Sequence, residues 1–423
     1  MTPTSTYRIQ FNKDFPFANA EEIVLYLREL GITTLYASPL FKARSGSAHG
    51  YDVTDPGTMN PELGGEDGFA ALSDTLRQAG MTLLLDIVPN HMAASPENRW
   101  WLHVLENGPS SEYANYFDIV WQTSASGEPL ESKVVLPILG SHYGTVLENQ
   151  ELQIVRDGGE FYVAYWDNRL PLDPKTYRVV LEQRYGILRD RLSNHPQAYR
   201  EYEALIELTE EMPDRLTVDP ELVERRRNGT TRLKAELERL CESYPEINEF
   251  VEENLRLVNG TPGDPQSFDT LDHLISAQAY RLAFWRVANA EINYRRFFDI
   301  ADLVSMRIED EDVFRARHER LIDLFGNGRL HGLRIDHIDG LHDPQGYLER
   351  LQAFLAPARA ELATGENESY ILVEKILAEH EHLREDWPTV GTTGYDFLNL
   401  VTGLLIDGSA TEALTEIYQR VSG

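Results

Sequence analysis

Apolar residues recur along the first ninety positions in two alternating rhythms. Thr6-Tyr7-Arg8-Ile9-Gln10-Phe11 is a short β-branched and aromatic run, and Ile23, Val24, Leu27 and Leu30 then fall at helical spacing within 20–30. Gly31 ends that helix in the manner of a glycine just past the last turn. Ile32 to Tyr36 predicts a second strand, a Gly/Pro/Ser-rich loop occupies about 38–65, and a further helix is predicted over 66–78. The phrase Leu27-Arg28-Glu29-Leu30-Gly31-Ile32-Thr33 is echoed by Leu76-Arg77-Gln78-Ala79-Gly80-Met81-Thr82. Two copies of helix, glycine and strand at matching phase predict successive βα units, with parallel strands buried on both faces.

A third strand is predicted over 81–88, nearly continuous in apolar residues, with Asp86 close to its C-terminal end. Beyond it, 92–186 is rich in aromatic, Gly and Pro residues with short β-like runs at 152–155 and 161–165, the pattern of a loop excursion. From 187 to about 290 the chain turns to Glu/Arg/Leu text, which predicts an inserted helical subdomain whose mixed charges form a solvated face. Strand and helix then alternate again over 291–423. Gly332 to Asp336 predicts a fourth strand, Tyr370 to Glu374 a fifth, a helix lies between them from about Pro344 to Leu355, and a sixth strand is expected near Phe397 to Leu405. The fold class is therefore α/β, a (β/α)8 TIM-type barrel that is incomplete in this chain, with strands one to three in 1–91. Strands three, four and five each carry an acid at the C-terminal end, the end that converges on the active face of such a barrel.

These strand ends supply the candidate chemistry. Asp86-Ile87-Val88-Pro89-Asn90-His91 places a rim carboxylate, an amide and an imidazole around a tight turn, a set able to hydrogen-bond several hydroxyls. Alternation puts Arg334 and Asp336 on one face of their strand, where the cation can orient the carboxylate and hold it ionised, or where the two form a buried structural ion pair. Glu374 ends an apolar strand. Two carboxyls about 5 Å apart on adjacent strand ends suit retaining glycoside chemistry, with Asp336 as nucleophile and Glu374 as general acid/base. His49-Gly50-Tyr51-Asp52 adds an aromatic ring beside polar groups in the loop after strand two, suited to stacking on a sugar or to packing. The close pairs His337/Asp339, His342/Asp343 and His380/His382 form no metal-ligand pattern on one element, so no metal is expected.

Composition narrows the partners. Lys+Arg 39 against Asp+Glu 69 leaves a net charge of −30, which opposes nucleic-acid or anionic-membrane binding. With 42% hydrophobic residues the chain can bury a sizeable core, and no apolar run of membrane-spanning length interrupts it. The single Cys241 provides neither a disulfide nor a thiolate metal site, and a reduced, cytoplasmic setting is expected.

Asp86 to His91, Gly332 to Asp336 and Val373-Glu374 resemble the first three ordered motifs of the α-amylase superfamily, glycoside hydrolase family 13. Longer stretches extend the resemblance over nearly the whole chain: His49 to Pro56, Leu105-Glu106-Asn107-Gly108, Arg295 to Phe298, Arg334 to Leu341, Glu374 to Leu377 and Gly391 to Phe397. Together they are similar to the branch of that family that rearranges the reducing end of a maltooligosaccharide. The resemblance implies that His49, Tyr51, His91 and Arg334 surround the reacting sugar, that Asp86 and Asn90 support them, and that His337, Lys375, Tyr395 and Asp396 join the substrate contacts. It implies an intramolecular transglucosylation that converts an α-1,4 bond to α,α-1,1 without a cofactor. An α-glucan hydrolase would use the same two carboxylates. The family pattern also carries a further carboxylate after its seventh strand, and only the front of the pattern is matched here. An open set of five or six strands leaves edges exposed. The expectation is thus a fragment, an inactive glucan-binding remnant, or a chain completed by a second polypeptide.

Overall fold

The buried apolar runs become the strands of one parallel sheet. In the computed structural model, which describes residues 2–127, 129–361 and 369–423, these are β1 (Thr6–Ile9), β2 (Thr34–Ala37), β3 (Thr82–Ile87), β4 (Gly332–Ile335), β5 (Tyr370–Val373) and β6 (Gly391–Thr392). They lie side by side in that order, each parallel to the next, as a curled half of a (β/α)8 barrel. Leu83, Leu84, Leu85, Leu333, Ile335, Ile371 and Val373 are all buried, as strands covered on both faces require. At the start of β4 a Cβ on Gly332 would lie 2.8 Å from the Tyr370 carbonyl oxygen and 3.0 Å from Leu84 Cδ1, so a side chain there would push neighbouring strands apart.

Helices α1 (Phe17–Glu29), α2 (Gly65–Gln78), α3 (Glu311–Gly326) and α4 (Pro344–Glu361) accompany the strands, and α5 (Tyr395–Leu404) and α6 (Thr411–Ser422) follow β6. Phe17 on α1 meets Phe69 on α2 with ring centres 5.9 Å apart, and Phe314 on α3 meets Tyr347 and Phe354 on α4 at 5.8 and 5.4 Å. The echoed phrase proves to be one cap used repeatedly. After α1, Gly31 N–H donates to Arg28 O and Ile32 N–H to Leu27 O; after α2, Gly80 N–H donates to Arg77 O and Met81 N–H to Leu76 O. A third copy follows α3, where Gly328 N–H donates to Phe325 O and Arg329 N–H to Leu324 O. Gly31, Gly80 and Gly328 all take the positive φ that this Schellman geometry needs.

One predicted element is different in kind. The apolar run at 397–405 is not a strand but most of α5, entered through Gly394 at φ +72°. A short continuous apolar run carries no period that separates strand from helix. The sixth strand is instead the two-residue β6, whose Gly391 and Thr392 pair with Leu372 and Val373.

By its internal contacts the chain forms two units, one of Met1–Tyr51, Pro56–Asn90 and Ile308–Gly423, the other of Asp52–Asp55 and His91–Arg307. The second unit contains the parallel pair Val134–Leu139 and Tyr280–Phe284, and the antiparallel strands Gln153–Asp157, Glu160–Tyr165 and Asn168–Pro171. Its helices Pro196–Glu211, Pro220–Ser243 and Pro245–Val258 all begin with proline, whose fixed φ suits the first helical position. Asp219 caps the long one, accepting from the N–H groups of Glu221 and Leu222. Among the described residues no helix is long and apolar enough to cross a membrane.

Candidate active site

Register brings the strand-end acids together. In the sheet Arg334 of β4 stands opposite Asp86 of β3, and Ile335 stands opposite Val373, one residue before Glu374. Backbone bonds continue the ladder past the strand ends: Asp336 N–H donates to Ile87 O at 2.9 Å and Glu374 N–H to Ile335 O at 2.8 Å. Both carboxyl-bearing residues are thereby pinned by main chain.

The Arg334 guanidinium is the hub. Its Nη1 donates to Asp86 Oδ1 at 2.9 Å and to Asp336 Oδ1 at 2.6 Å, and its Nη2 lies 3.4 Å from Glu374 Oε1. The side chains of Arg334, Asp86 and Asp336 are 6%, 0% and 9% exposed, whereas that of Glu374 is 24% exposed. Three carboxyls share one cation, so like charges face one another at low exposure. Burial pushes the Asp336 carboxyl up to about 7; Arg334 opposes the shift, and Asp86 and Glu374 add to it. Sequence reasoning leaves Arg334 either holding Asp336 ionised or forming a buried ion pair with it; the pair is present, and burial opposes the charge more than Arg334 favours it. Asp86 is also raised, by burial first, against the pull of Arg334 and the hydrogen bond from Tyr51. Burial disfavours the Arg334 charge, yet Asp86, Tyr36 and Asp336 outweigh that and hold its pKa above the ordinary guanidinium value.

Around this core, Tyr51 OH donates to Asp86 Oδ2 at 2.7 Å and Tyr36 OH to the same oxygen at 3.2 Å. Burial, with Asp86 beside them, raises both phenols, so they stay protonated donors. Arg8 Nη2 donates to Tyr51 OH at 3.2 Å, and its guanidinium lies 5.4 Å from the Tyr36 ring centre. His49 is exposed; its Nδ1 accepts from Tyr51 N–H at 3.0 Å, and its ring centre is 5.9 Å from that of Tyr51. Glu374 Oε2 accepts from the backbone N–H of His337 at 2.8 Å and Oε1 from Tyr395 OH at 3.2 Å. His337 takes the left-handed φ of +50° that turns its N–H to that carboxylate, and a Cβ on Gly340 would fall 2.1 Å from the His337 ring and 2.9 Å from Asn90 Oδ1. The turn over 337–340 therefore lies tight against the buried Asn90.

The remaining candidates occupy other positions. Lys375 pairs with Glu381 at 2.7 Å and Asp339 at 3.3 Å, and Asp396 accepts from the Thr392 hydroxyl at 2.8 Å. His91 belongs to the second unit, buried, with its ring centre 4.4 Å from that of Phe297. Tyr36 and Arg8 were not singled out by the sequence. The available signal was a polar residue one position before the end of β1 and another at the same level of β2, since Arg8 is in register with Tyr36. Among the described residues no three His, Cys, Asp or Glu side chains gather as a metal site.

The family model of the α-amylase catalytic domain matches residues 21–254. The chain belongs to the α-amylase family. Among its relatives in that family, a Mycobacterium tuberculosis protein provisionally named maltooligosyl trehalose synthase is 32% identical over 98% of this chain and 40% of its own length. The solved structure of the maltooligosyltrehalose synthase from Arthrobacter ramosus is 30% identical with a TM-score of 0.67, covering 100% of this chain and 41% of that one. A hypothetical maltooligosyl trehalose synthase of Sulfolobus tokodaii gives 30% identity and a TM-score of 0.64 over 99% of this chain and 42% of that one. This α-amylase family member thus spans about two fifths of the length of the relatives it matches.

Proposed function

We propose that this face carries out retaining transfer of an α-glucosyl group, converting the reducing-end α-1,4 bond of a maltooligosaccharide to an α,α-1,1 bond. The observation that carries the reading is the single guanidinium joining Asp86, Asp336 and Glu374 at the ends of three neighbouring strands. Asp336 is the better nucleophile candidate, because it is buried and held in line by Arg334 and its own backbone N–H. Its carboxylate attacks the anomeric carbon of the penultimate glucose, and the bond to the terminal glucose breaks. Glu374, more exposed, fixed by the His337 N–H and the Tyr395 hydroxyl, gives its proton to the departing oxygen. It then takes a proton from the anomeric hydroxyl of the released glucose, which attacks the glycosyl ester and frees Asp336. Two inversions give net retention.

Asp86 does not react in this scheme. Fixed by Tyr36, Tyr51 and Arg334, it positions the guanidinium and offers acceptor capacity to sugar hydroxyls. Water must be kept out while the glycosyl ester exists, since its attack would release free glucose. The choice of rearrangement over hydrolysis rests on the names of the relatives; both reactions use the same two carboxyls. Incubating the chain with maltopentaose separates them: reducing ends disappear without free glucose if rearrangement occurs, and reducing ends accumulate if hydrolysis does. Neither change, in a chain that still binds maltopentaose by calorimetry, would leave glucan binding as the activity of this chain. A second polypeptide bearing further βα units, added in that assay, is expected to raise turnover if the sheet works only when extended beyond β6.

A further inference from the structure

Arg8 and Gln10 take no part in the chemistry above, yet they border it within the first unit. Arg8 lies in β1 and Gln10 just past its end, so alternation puts both on one face. Arg8 is level with Tyr36 of β2, and Tyr36 is level with Leu84 of β3, two residues before Asp86. The guanidinium thus starts one layer beneath the strand-end acids. From there the pair grips the loop after β2. Gln10 Nε2 donates to His49 O at 3.0 Å and Ala48 O at 3.4 Å, Arg8 Nη1 donates to Gln10 Oε1 at 3.0 Å, and Arg8 Nη2 donates to Tyr51 OH at 3.2 Å. The loop leaves little slack between these points: Gly50 takes φ +80°, and a Cβ there would sit 2.7 Å from the Pro39 carbonyl oxygen. Main chain is fixed up to Tyr51, and Arg8 acts at the tip of its phenol.

A phenol has one proton to give, and a guanidinium accepts nothing. With an Arg8 N–H on its oxygen, Tyr51 must send its proton elsewhere, and it goes to Asp86 Oδ2 at 2.7 Å. A hydroxyl that accepts from a cation is also the stronger donor. The two phenols on that carboxylate oxygen differ in this sense: Tyr36, whose ring centre lies 5.4 Å from the guanidinium, donates at the longer 3.2 Å. Among the described residues the side-chain hydrogen bonds of Arg8 go to neutral oxygens, so its charge is not spent on a carboxylate of its own. Asp86 therefore stands between two cations, Arg334 in direct contact and Arg8 one hydroxyl away. Burial raises the Asp86 carboxyl; Arg334 opposes this most, the Tyr51 hydrogen bond next, and Arg8 adds a smaller pull of the same sign. Asp336 and Glu374, the other acids here, share Arg334.

We propose that Arg8 is a positioning residue of this site: through the Tyr51 hydroxyl it directs that phenol's proton to Asp86, and so holds the Tyr51 ring and the Asp86 carboxylate in fixed relation beside Arg334. Its bearing on turnover rests on the reading of the strand-end carboxyls; the hydroxyl link does not. The first test needs no sugar. In the full chain, isotopically labelled at tyrosine Cζ and read by carbon NMR, the Tyr51 signal is the one missing from Tyr51→Phe. Expected in Arg8→Met are a displaced Tyr51 signal and a rise of at least about 0.3 pH units, a factor of about two in proton affinity, in the midpoint at which that signal follows the strand-end carboxyls. Arg8→Lys keeps a cationic donor and is expected to return most of that change. A Tyr51 signal with the same position and midpoint in Arg8→Met overturns the proposal, and so does an Arg8→Lys variant no closer to the parent than Arg8→Met. In turnover of maltopentaose, Arg8→Met is expected to lower kcat/KM about ten-fold in the parent chain but less than about two-fold in Tyr51→Phe, because its effect passes through the hydroxyl. Equal losses in the two backgrounds overturn the proposal as well. A parent chain without turnover counts against the reading of the reaction alone, and the tyrosine signal still decides the role of Arg8.

Discussion

Two polar clusters in this chain are built from the same residue types in different proportion. At Arg334 one cation serves Asp86, Asp336 and Glu374, leaving an excess of acids, and the Asp336 carboxyl is pushed up to about 7. At Lys234 and Arg226 two cations stand with three acids, Glu160, Glu106 and Asp173, the Asn107 amide lies between Glu106 and Arg226, and each cation has a close partner. Glu106 is also raised by burial, but Lys234 is the largest influence against that rise. In both clusters burial is the largest influence raising the carboxyl, and what differs is the number of cations that oppose it. Where one cation serves three acids, the remaining like charges add to the rise, as Asp86 and Glu374 do at Asp336.

The comparison breaks most sharply at Asp336. If it is the nucleophile, Asp336→Asn lowers turnover of maltopentaose by on the order of 10³-fold or more, with an unchanged far-ultraviolet circular dichroism spectrum. Next come the cations. Arg334→Met leaves three carboxyls at one place and is expected to cost about 3–5 kcal/mol in urea unfolding at pH 8, and Lys234→Met, with its 20% exposed side chain, less than that. If both substitutions prove equally mild, the distinction between three acids on one cation and three acids on two is lost.

The pH dependence gives a smaller but more specific test. Asp336 is raised from 3.8 to about 7, so between these values the folded chain holds a proton that the unfolded chain has lost. Its contribution to stability therefore falls as pH rises through that window, and Asp336→Asn should remove that slope from a series of unfolding midpoints. Activity runs the other way, rising with pH through about 7 as the nucleophile ionises. Asp86→Asn removes a like charge and should move that acid limb to lower pH; a limb that stays in place would assign it to another group. Smallest of all, Lys375→Ala loses pairs with the more exposed Asp339 and Glu381 and is expected to cost at most about 1 kcal/mol.

Much of the barrel half was legible because buried parallel strands read as apolar runs between glycine-ended helices. The acids at the ends of β3, β4 and β5 could be read for the same reason, since a lone Asp or Glu closing such a run marks the rim. β6 could not, because two residues carry no pattern, and the apolar stretch after it serves a helix equally well. Phe397, Leu400, Leu404 and Val421 of that end are between 70% and 85% exposed, so burial offers no arbiter either. Arg8 and Tyr36 depend on register between β1 and β2, which is a property of pairing rather than of either strand. The arginine beside Asp336 is visible in sequence, whereas the loss of water that raises the carboxyl is not.

The repeated cap after α1, α2 and α3 bears on how this half-barrel comes into being. Each cap closes within six residues and aims the chain at the next strand before any distant partner is needed. The most local step of three helix-to-strand connections is thus written into the sequence beside it, and the chain can start ordering itself at several places independently. Gly31 and Gly80 have open space around a would-be Cβ, so alanine there acts through backbone strain alone. The slow part of folding is left to the pairing of β3 with β4, whose first registered pair, Leu84 and Gly332, is separated in sequence by the long stretch His91–Arg307 of the second unit.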